Sequence, residues 1–402
     1  MKILSISAQK PDSTGSGIYL LELVRGFHTL GSPQAVSAGV YKEDSIVFPE
    51  GVQFYPVYYC TGDIPFAIPG MSDEMPYKST VYGKMTADMV DKFRDGAMKQ
   101  VRKAVEEFAP DVILCHHLYL LTAWVREAFP DHKVAGICHG TDIRQMLKTG
   151  LQRGYVREQI QKLDIVFALQ DELKEKIEKV YGYPSRKIRV VGIGYNSRIF
   201  YRKKDKKGRK KGDRIQLIFA GKLAGKKGVM SLIRSLEYLE YGESELVLKL
   251  AGGYGNQREY EEICRLAETC KYPVLMLGKL SQKQLAAEFR DSDILVLPSF
   301  YEGLPLVLME ALACGLKVVS TDLPGIRQWM ESCAPGNGIL FVEPPETENA
   351  DDVPEAELPR FERRLSAALL KAVKDRETTE VRLEHLSWES VSRIIWEQLR
   401  DI

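Results

Sequence analysis

The sequence predicts an α/β protein of two domains, each with a doubly wound parallel sheet. The chain has 402 residues, which is more than one hydrophobic core normally supports, so two domains of about 200 residues are expected. Short apolar runs alternate with amphipathic helical patterns in both halves, and this alternation is typical of parallel sheets covered by helices. A basic stretch without apolar residues, 202–214, lies between the halves, where a flexible linker belongs.

Composition excludes several classes of protein. The chain is 45% hydrophobic and 28% charged, as in an ordinary globular protein. Its 56 basic and 55 acidic residues nearly cancel, so global charge favours neither nucleic acid nor an acidic polymer as partner. Seven cysteines without a C-x-x-C pair argue against a disulfide framework or a zinc site. Neither a signal peptide nor an apolar run of about 20 residues is seen, so we expect a cytoplasmic protein with at most peripheral membrane contact, at the inner face.

Two features of the first half are candidate ligand elements. A glycine-rich loop containing Gly15 and Gly17 connects a first strand, Lys2 to Ala8, to a helix. Such a loop can cradle a phosphate, but it can equally be a plain turn, because it lacks the G-x-G-x-x-G pattern. The irregular stretch 60–85 combines prolines and aromatic residues. It is either a folded binding loop or a packed cover over the sheet.

His139 is the first candidate catalytic residue. It leaves the carboxyl end of a strand, Lys133 to Cys138, and this edge is where α/β enzymes place their chemistry. The following 143–163 stretch has five basic residues and one acid. It is either a solvated helix face or a cationic surface that holds an anionic acceptor through Arg153 and Arg157.

The second half offers cations and then carboxylates. Lys222 and Lys227 follow the strand Ile215 to Ala220, and two cations at a helix start suit a diphosphate. Glu302 and Glu310 lie within the run from Leu295 to Thr321, where they could bind hydroxyl groups beside helix amides. A nucleotide sugar has both phosphates and hydroxyls. Alternatively, Glu302 is a solvated loop residue and Glu310 pairs with a lysine of the core.

The same residues carry a family resemblance. The run resembles the donor-site signature of retaining GT-B glycosyltransferases of family 4, the glycosyl transferases group 1. The matching residues are Pro298, Ser299, Glu302, Gly303, Pro305, Glu310, Ala311, Ala313 and Gly315. His139 and Asp142 resemble an H-G-x-D element whose histidine lies close to the transferred sugar. Lys227 resembles the lysine of the family's G-R-L to K-G segment, in which Lys222 replaces an arginine, and Gly253 resembles a glycine of its A-G-x-G turn.

The resemblance implies the GT-B architecture, with two domains facing across a cleft. The acceptor domain is then 1–195, the linker 196–214 and the donor domain 215–385, and a C-terminal helix, 386–402, crosses back to the first domain. Catalytic roles fall to His139, Glu302 and Lys227. The implied donor-binding residues are Gly17, Lys222, Lys227, Gly253, Glu302, Gly303, Leu304 and Glu310. The implied acceptor-binding residues are Asp142, Arg153 and Arg157.

The implied reaction is transfer of a sugar, with retention, from a nucleoside diphosphate sugar and without metal or cofactor. We expect a UDP-sugar donor and a small-molecule, glycan or lipid-linked acceptor. Asp291 and Asp293 imitate a metal-binding D-x-D motif, but their place before a buried strand predicts a structural role. Three alternatives stay open: a GT-B epimerase or phosphorylase, a non-catalytic nucleotide-sugar-binding protein, and a nucleic-acid-binding protein that uses the basic stretch.

Overall fold

The computed structural model describes residues 1–72, 75–203, 212–302, 305–346, 353–375 and 381–402. The chain divides into two compact units. Unit 1 comprises Met1–Gly194 and Trp388–Ile402, and unit 2 comprises Tyr195–Ser387. Unit 1 corresponds to the acceptor domain and C-terminal helix expected from the sequence, whereas unit 2 begins at Tyr195, 20 residues before the expected start of the donor domain.

Unit 1 is built on a seven-stranded parallel sheet with the order β3-β2-β1-β6-β7-β8-β9. Most of its strands are buried along their whole length, because helices cover both faces, and this explains their continuous apolar sequences. Strands β4 and β5 form a separate short parallel pair. The strands are β1 (Ile3–Ser7), β2 (Gln34–Val40), β3 (Gln53–Tyr58), β4 (Pro69–Gly70), β5 (Thr80–Val81), β6 (Val112–His116), β7 (Lys133–Ile137), β8 (Ile165–Ala168) and β9 (Ile188–Val190).

Six helices connect these strands. Helix α2 illustrates why these segments are helical. The Thr86 side chain caps its first turn by accepting a hydrogen bond from the Met89 N–H, and its buried residues recur at helical spacing on one face. The helices are α1 (Gly15–Thr29), α2 (Ala87–Phe108), α3 (Leu120–Ala128), α4 (Thr141–Lys148), α5 (Arg153–Ile160) and α6 (Asp171–Tyr181).

Unit 2 repeats the plan with a six-stranded parallel sheet of order β12-β11-β10-β13-β14-β15. The strands are β10 (Ile215–Ala220), β11 (Leu246–Ala251), β12 (Val274–Gly278), β13 (Ile294–Leu297), β14 (Lys317–Thr321) and β15 (Leu340–Val342). The remaining helices are α7 (Val229–Leu236), α8 (Gln257–Thr269), α9 (Gln282–Arg290), α10 (Leu306–Ala313), α11 (Ile326–Cys333), α12 (Leu358–Lys374) and α13 (Trp388–Arg400).

Helix α13 belongs to unit 1, so the chain does return to its first domain. It packs on α1 at Gly26, where an added Cβ would lie 2.0 Å from the Ser392 Oγ. The Trp396 Nε1 donates a hydrogen bond to the Ser32 Oγ at 2.7 Å. Close approach at a glycine and a side-chain hydrogen bond therefore fix the last helix on the first.

Each sheet has one point where the strand order reverses. In unit 1 this point lies between β1 and β6, and in unit 2 it lies between β10 and β13. Ligands of open α/β sheets bind outside the carboxyl ends of the strands at such a point. Asp293, at the opposite edge of β13, accepts a hydrogen bond from the Gln216 N–H at 2.8 Å. It joins two strands there, which agrees with a structural role.

The linker expected at 196–214 is shorter than predicted, because its first residues pack on unit 2. Phe200 is fully buried with its ring centroid 6.1 Å from that of Phe289. Arg290 donates to the Ile199 carbonyl at 2.9 Å and its guanidinium lies over the Tyr201 ring. Most of the basic stretch lies outside the described residues. The structure therefore does not test whether this stretch binds nucleic acid.

The described part of the 60–85 segment is a packed cover at the carboxyl edge of the unit 1 sheet. Side chains from three elements hold its backbone. The Gln9 Nε2 donates to the Pro69 carbonyl at 2.5 Å, the Tyr41 hydroxyl accepts from the Ile68 N–H at 3.1 Å, and the Gln145 Nε2 donates to Met71 O at 2.9 Å. The segment thus borders the edge where a ligand of unit 1 would bind.

Across the described residues, no helix combines the length and the apolar character needed to cross a membrane.

Candidate functional site

The loops after β10 and β13 pack together at the switch point of unit 2. The first loop passes through a short 3-10 turn, Gly225–Lys227, before α7 begins. Gly228 follows with a φ of +66°, and a Cβ there would lie 2.0 Å from the Pro298 carbonyl oxygen. Only glycine tolerates both conditions. The Phe300 N–H donates to the Lys226 carbonyl at 3.0 Å, so the loops form one surface.

Lys227 and Glu302 are in direct contact on this surface. The Lys227 Nζ lies 2.7 Å from the Glu302 Oε1, and it donates to the Tyr301 carbonyl at 3.3 Å. The Ser299 hydroxyl donates to the same Glu302 oxygen at 2.7 Å. The side chains keep 27% and 15% of their surface exposed, so the pair is accessible. The sequence placed these residues in one site, and the structure adds that they pair.

Lys222 lies beside the turn that follows β11. Gly252 closes this turn, because a Cβ there would lie 1.7 Å from the Gly221 carbonyl oxygen. The Leu223 N–H donates to the Gly253 carbonyl at 2.8 Å. A Cβ at Gly255 would lie 2.6 Å from the Lys222 Nζ. The two predicted donor-binding residues, Lys222 and Gly253, are therefore neighbours.

Glu310 is a carboxylate in the apolar helix α10. Burial raises its pKa to about 7, because a charged carboxylate is poorly solvated there. Burial is the only cause of this pKa shift, with neither a hydrogen bond nor a nearby charge contributing, so no lysine is seen to hold the Glu310 carboxylate within the described part of the chain. Gly303 and Leu304, whose amides were expected to bind phosphate, lie outside the described residues.

Asp142 lies at the carboxyl edge of the unit 1 sheet, beside the ends of β6 and β7. Its side chain has no exposed surface. The carboxylate accepts hydrogen bonds from the Leu118 N–H at 2.9 Å, the His139 N–H at 3.3 Å and the Cys138 thiol at 3.2 Å. It ties the loop after β6 to the loop after β7. Asp142 was expected to bind the acceptor, but its complete burial gives it a positioning role instead.

His139 forms a cluster with two histidines that the sequence analysis did not select. The His116 Nδ1 lies 3.2 Å from the His139 Nε2, and the His117 ring centroid lies 4.7 Å from that of His139. Adjacent strands β6 and β7 bring them together. The sequence shows two adjacent histidines, His116 and His117, at the end of a buried strand. Only the pairing of β6 with β7 shows that they lie beside His139.

Burial lowers the pKa of all three imidazoles and so favours their neutral form. Burial lowers the pKa of His116 to about 3. It also lowers the pKa of His117 and sets that of His139 well below its ordinary value, with His117 and His116 opposing charge on His139. Desolvation disfavours the charged ring, and charge on one ring disfavours charge on the others. The cluster therefore offers neutral hydrogen-bonding groups rather than cations.

Arg153 and Arg157 have partners within unit 1. Arg153 donates to the carbonyls of Thr149 and Leu147 at 2.8 and 3.1 Å, at the end of α4. Arg157 donates to the Tyr181 carbonyl at 3.3 Å, at the end of α6. Cations commonly satisfy the last carbonyls of a helix in this way. The basic pattern of this region is thus explained in part by helix capping, which was not among the alternatives.

Packing at the start of α1 requires glycine at position 17. A Cβ there would lie 2.3 Å from the Lys10 carbonyl oxygen, and the Gly17 N–H donates to the Thr14 hydroxyl at 3.1 Å. The loop before α1 therefore folds over the helix start at this glycine. As for metals, the described residues contain no group of three or more histidine, cysteine or acidic side chains placed to hold an ion.

Comparison with known proteins identifies the class of both units. Residues 200–364 match the family Glycosyl transferases group 1, and residues 87–198 match Glycosyltransferase Family 4. The chain is 33% identical over 117 residues to a D-inositol 3-phosphate glycosyltransferase of Pseudarthrobacter chlorophenolicus, covering 28% of each chain. It spans between 27% and 56% of the length of the curated relatives that it matches.

Solved structures share the fold over the whole chain. An α,α-trehalose-phosphate synthase (UDP-forming) of Burkholderia vietnamiensis is similar with a TM-score of 0.69 and 15% identity, covering 100% of both chains. The Anabaena protein HepE, solved in complex with UDP-glucose, is similar with a TM-score of 0.59 and 14% identity, again over 100% of both. At these identities the likeness concerns the fold. Both family matches and this architecture agree, and the chain belongs to the GT-B glycosyltransferases of group 1.

Proposed function

We propose that the protein transfers a sugar from a nucleoside diphosphate sugar, a UDP-sugar in the first place, to an acceptor with retention at the anomeric carbon. One observation carries the proposal: Lys227 and Glu302 meet at 2.7 Å. A ligand that presents an anion to Lys227 and hydroxyls to Glu302 must carry both groups side by side. In a nucleotide sugar the terminal phosphate and the sugar are joined through one oxygen, so this ligand meets the requirement.

The remaining donor contacts follow from this placement. Lys227 and Lys222 neutralise the charge that develops on the departing diphosphate, which is the largest electrostatic task of the reaction. Glu302 binds hydroxyls of the transferred sugar. Glu310 binds the ribose hydroxyls, and these donors replace the partners that its carboxylate lacks among the described residues. The amides of Gly303 and Leu304 complete the phosphate contacts in this proposal.

The chemistry needs neither a metal nor a protein cofactor in this proposal. The two lysines supply the positive charge, and the leaving phosphate takes the proton of the acceptor hydroxyl. His139 orients the transferred sugar. If instead a metal supplied the charge, a chelator such as EDTA would abolish turnover, whereas we expect turnover to survive.

The acceptor is proposed to be a small molecule, glycan or lipid-linked sugar that carries a negative charge. The basic residues of 143–163 support the charge, although two of them also cap helices. A relative named for D-inositol 3-phosphate gives a phosphorylated hydroxyl compound as a first candidate. Asp142 contributes by positioning the loops rather than by contact.

A panel of UDP-, GDP- and ADP-sugars tests the function, first by thermal shift and then by hydrolysis and transfer. We expect one UDP-sugar to stabilise the protein and to be turned over. The similar solved proteins named for UDP or bound to UDP-glucose support this order of testing. The absence of any shift or turnover would contradict the proposal. Stabilisation without turnover would favour a binding protein, and turnover without a sugar acceptor would favour an epimerase or phosphorylase.

A further inference from the structure

Two histidines of unit 1 share one hydrogen bond whose direction the structure decides. The His116 Nδ1 and the His139 Nε2 are 3.2 Å apart. The ring centroids are 5.4 Å apart and the ring planes differ by 14°. The distance between the centroids exceeds the distance between the two nitrogens by about two ring radii, so both nitrogens lie nearly on the line that joins the centroids. The two rings therefore meet edge to edge and lie in nearly one plane. That geometry suits an N–H···N hydrogen bond, in which one ring donates and the other accepts.

The buried side of His116 determines which ring donates. His116 is 4% exposed, and its Nε2 is buried without a hydrogen-bond partner. A proton on that Nε2 would bury an N–H donor with nothing to accept it, and orphaned buried N–H groups are rare and costly. Placing the proton on Nδ1 satisfies the donor through His139 and leaves only a lone pair at Nε2. Hydrogen positions are inferred from the network in this way.

We propose that His116 is a positioning residue that donates its Nδ1–H to the His139 Nε2 and so holds His139 as the Nδ1–H tautomer, a hydrogen-bond donor toward the substrate. The tautomer of a histidine is set by the bond that its other nitrogen makes. His139 keeps part of its surface accessible, and its Nδ1 is not among the buried unpartnered atoms. This nitrogen is therefore the one available to a ligand.

The surroundings hold the ring in place. The Tyr19 ring lies edge-on to His139, with centroids 5.3 Å apart and an angle of 81°, and the Tyr19 hydroxyl donates to the Gly192 carbonyl at 3.1 Å. His117 packs against another side of His139, with centroids 4.7 Å apart. A ring flip of His139 would break the bond to His116 within this packing. The orientation and the tautomer are thus fixed before any ligand arrives.

The assignment has a chemical consequence, which rests on the proposed function. With Nε2 engaged and Nδ1 already protonated, neutral His139 has no lone pair for the proton of an acceptor hydroxyl. It can donate only to an oxygen of the substrate, such as a sugar hydroxyl or a phosphate or carboxylate oxygen. His139 is then a donor that orients the sugar and is not a general base.

Nuclear magnetic resonance of the full chain tests the tautomer without any substrate. The protein has six histidines, so selective labelling with ¹⁵N-histidine gives few signals in a two-bond ¹⁵N–¹H correlation spectrum. His139→Asn identifies the His139 signals by their loss. At pH 7.5 we expect a protonated Nδ1 and an unprotonated Nε2 on His139. An Nε2–H tautomer or a charged ring would overturn the proposal.

Variants of His116 test its role. His116→Phe keeps a ring but removes the donor, so we expect the His139 tautomer to change and kcat/KM to fall about tenfold to a hundredfold, as when one preorganised donor is lost. His116→Asn puts an amide N–H near the position of Nδ1 and should restore the tautomer and most of the activity. His117→Asn, which suits the φ of +71° at that position, should leave the His139 tautomer unchanged.

The outcomes separate this inference from the proposed function. An unchanged His139 tautomer in His116→Phe would reject the positioning role even if the protein proves to be a glycosyltransferase. If no nucleotide sugar is turned over, the spectra of the wild-type protein and its variants still decide the tautomer. A His116→Phe chain that fails to fold leaves His116→Asn and the wild-type spectrum as the deciding measurements.

Discussion

The carboxyl edges of the two sheets carry opposite kinds of polar group. Unit 2 presents an accessible ion pair, Lys227 with Glu302, and a carboxylate without a partner among the described residues, Glu310. Unit 1 presents three imidazoles whose pKa values burial lowers; His116 and His117 are buried, and His139 keeps part of its surface accessible. Charge at one edge suits a phosphorylated ligand, and neutral donors at the other suit hydroxyl groups. The same plan of a doubly wound parallel sheet thus supplies two chemical environments, because the loops after the strands differ.

The two edges should also respond to pH in opposite directions. A histidine whose pKa is lowered by folding loses stability as the pH falls, because the unfolded chain binds more protons. A carboxylate whose pKa is raised by folding loses stability as the pH rises, because the folded chain binds more protons. Four experiments test this contrast between the two edges, and their expected effects decrease in the order given.

Removing the cation of unit 2 should have the largest effect. We expect Lys227→Ala to lower transferase kcat/KM by about a thousandfold or more, because the charge on the leaving diphosphate is no longer neutralised. Far-UV circular dichroism should show a folded protein. Lys226→Ala is the matched control on the neighbouring exposed lysine, and we expect it to retain most activity. Near-full activity of Lys227→Ala would remove the phosphate assignment.

Adding a methyl group at Gly228 should separate the two loops of unit 2. We expect Gly228→Ala to lower the free energy of unfolding by about 2–4 kcal/mol, since the new Cβ meets the Pro298 carbonyl and the φ is positive. Gly253→Ala is the control, because a Cβ there has nothing within 4 Å, and it should change stability little. Urea unfolding measures both, and equal stability of the two variants would contradict the packing argument.

Mild acid should destabilise unit 1 first. The ordinary pKa of histidine is 6.5, and that of His116 in the fold is about 3. The stability from its neutral burial is complete above the ordinary value and is lost as the pH falls toward the folded value. For His116 alone the loss between pH 7 and pH 5 is on the order of 2 kcal/mol. Hydrogen exchange by mass spectrometry should show unit 1 peptides opening before those of unit 2, and His116→Asn should reduce the difference. The reverse order of opening would argue against the neutral cluster.

Glu310 should show the opposite trend with a smaller effect. Its ordinary pKa is 4.5 and burial raises it to about 7, so the wild-type free energy of unfolding should fall as the pH rises between these values. We expect Glu310→Gln to be about 1–2 kcal/mol more stable than the wild type at pH 5.5 and nearly equal to it at pH 4. The same variant should bind UDP more weakly in calorimetry. A variant that is less stable at pH 8 would indicate a protein partner for Glu310.

The buried strands could be predicted closely from the sequence. For β10 the predicted and observed ends coincide at Ile215 and Ala220, and β7 begins at Lys133 as predicted, because a strand covered on both faces is a continuous apolar run between polar loops. That the loops carrying Lys227 and Glu302 belong to one site was also a prediction from the sequence. The contact between Lys227 and Glu302 was not, since it depends on the close approach at Gly228 of loops that are distant in the chain.

The roles of two other groups needed three-dimensional information. In the sequence, His116 and His117 follow an apolar strand, and this pattern predicts two core residues. The pairing of β6 with β7 places them beside His139. Arg153 and Arg157 give the same charge pattern whether they face solvent, bind an anion or cap a helix. Their carbonyl partners at Thr149 and Tyr181 distinguish these cases, and the partner of Arg157 is not a sequence neighbour.

The ion pair of unit 2 bears on how a spent donor leaves. A complete nucleotide sugar replaces both partners of the pair, by offering phosphate to Lys227 and hydroxyls to Glu302. After transfer, the nucleoside diphosphate still attracts the lysine but has no sugar for the carboxylate. Glu302 then competes with the product for Lys227, with which it pairs at 2.7 Å. Under the proposed function this ion pair helps to expel the product, and product inhibition should be weaker than donor affinity alone would suggest.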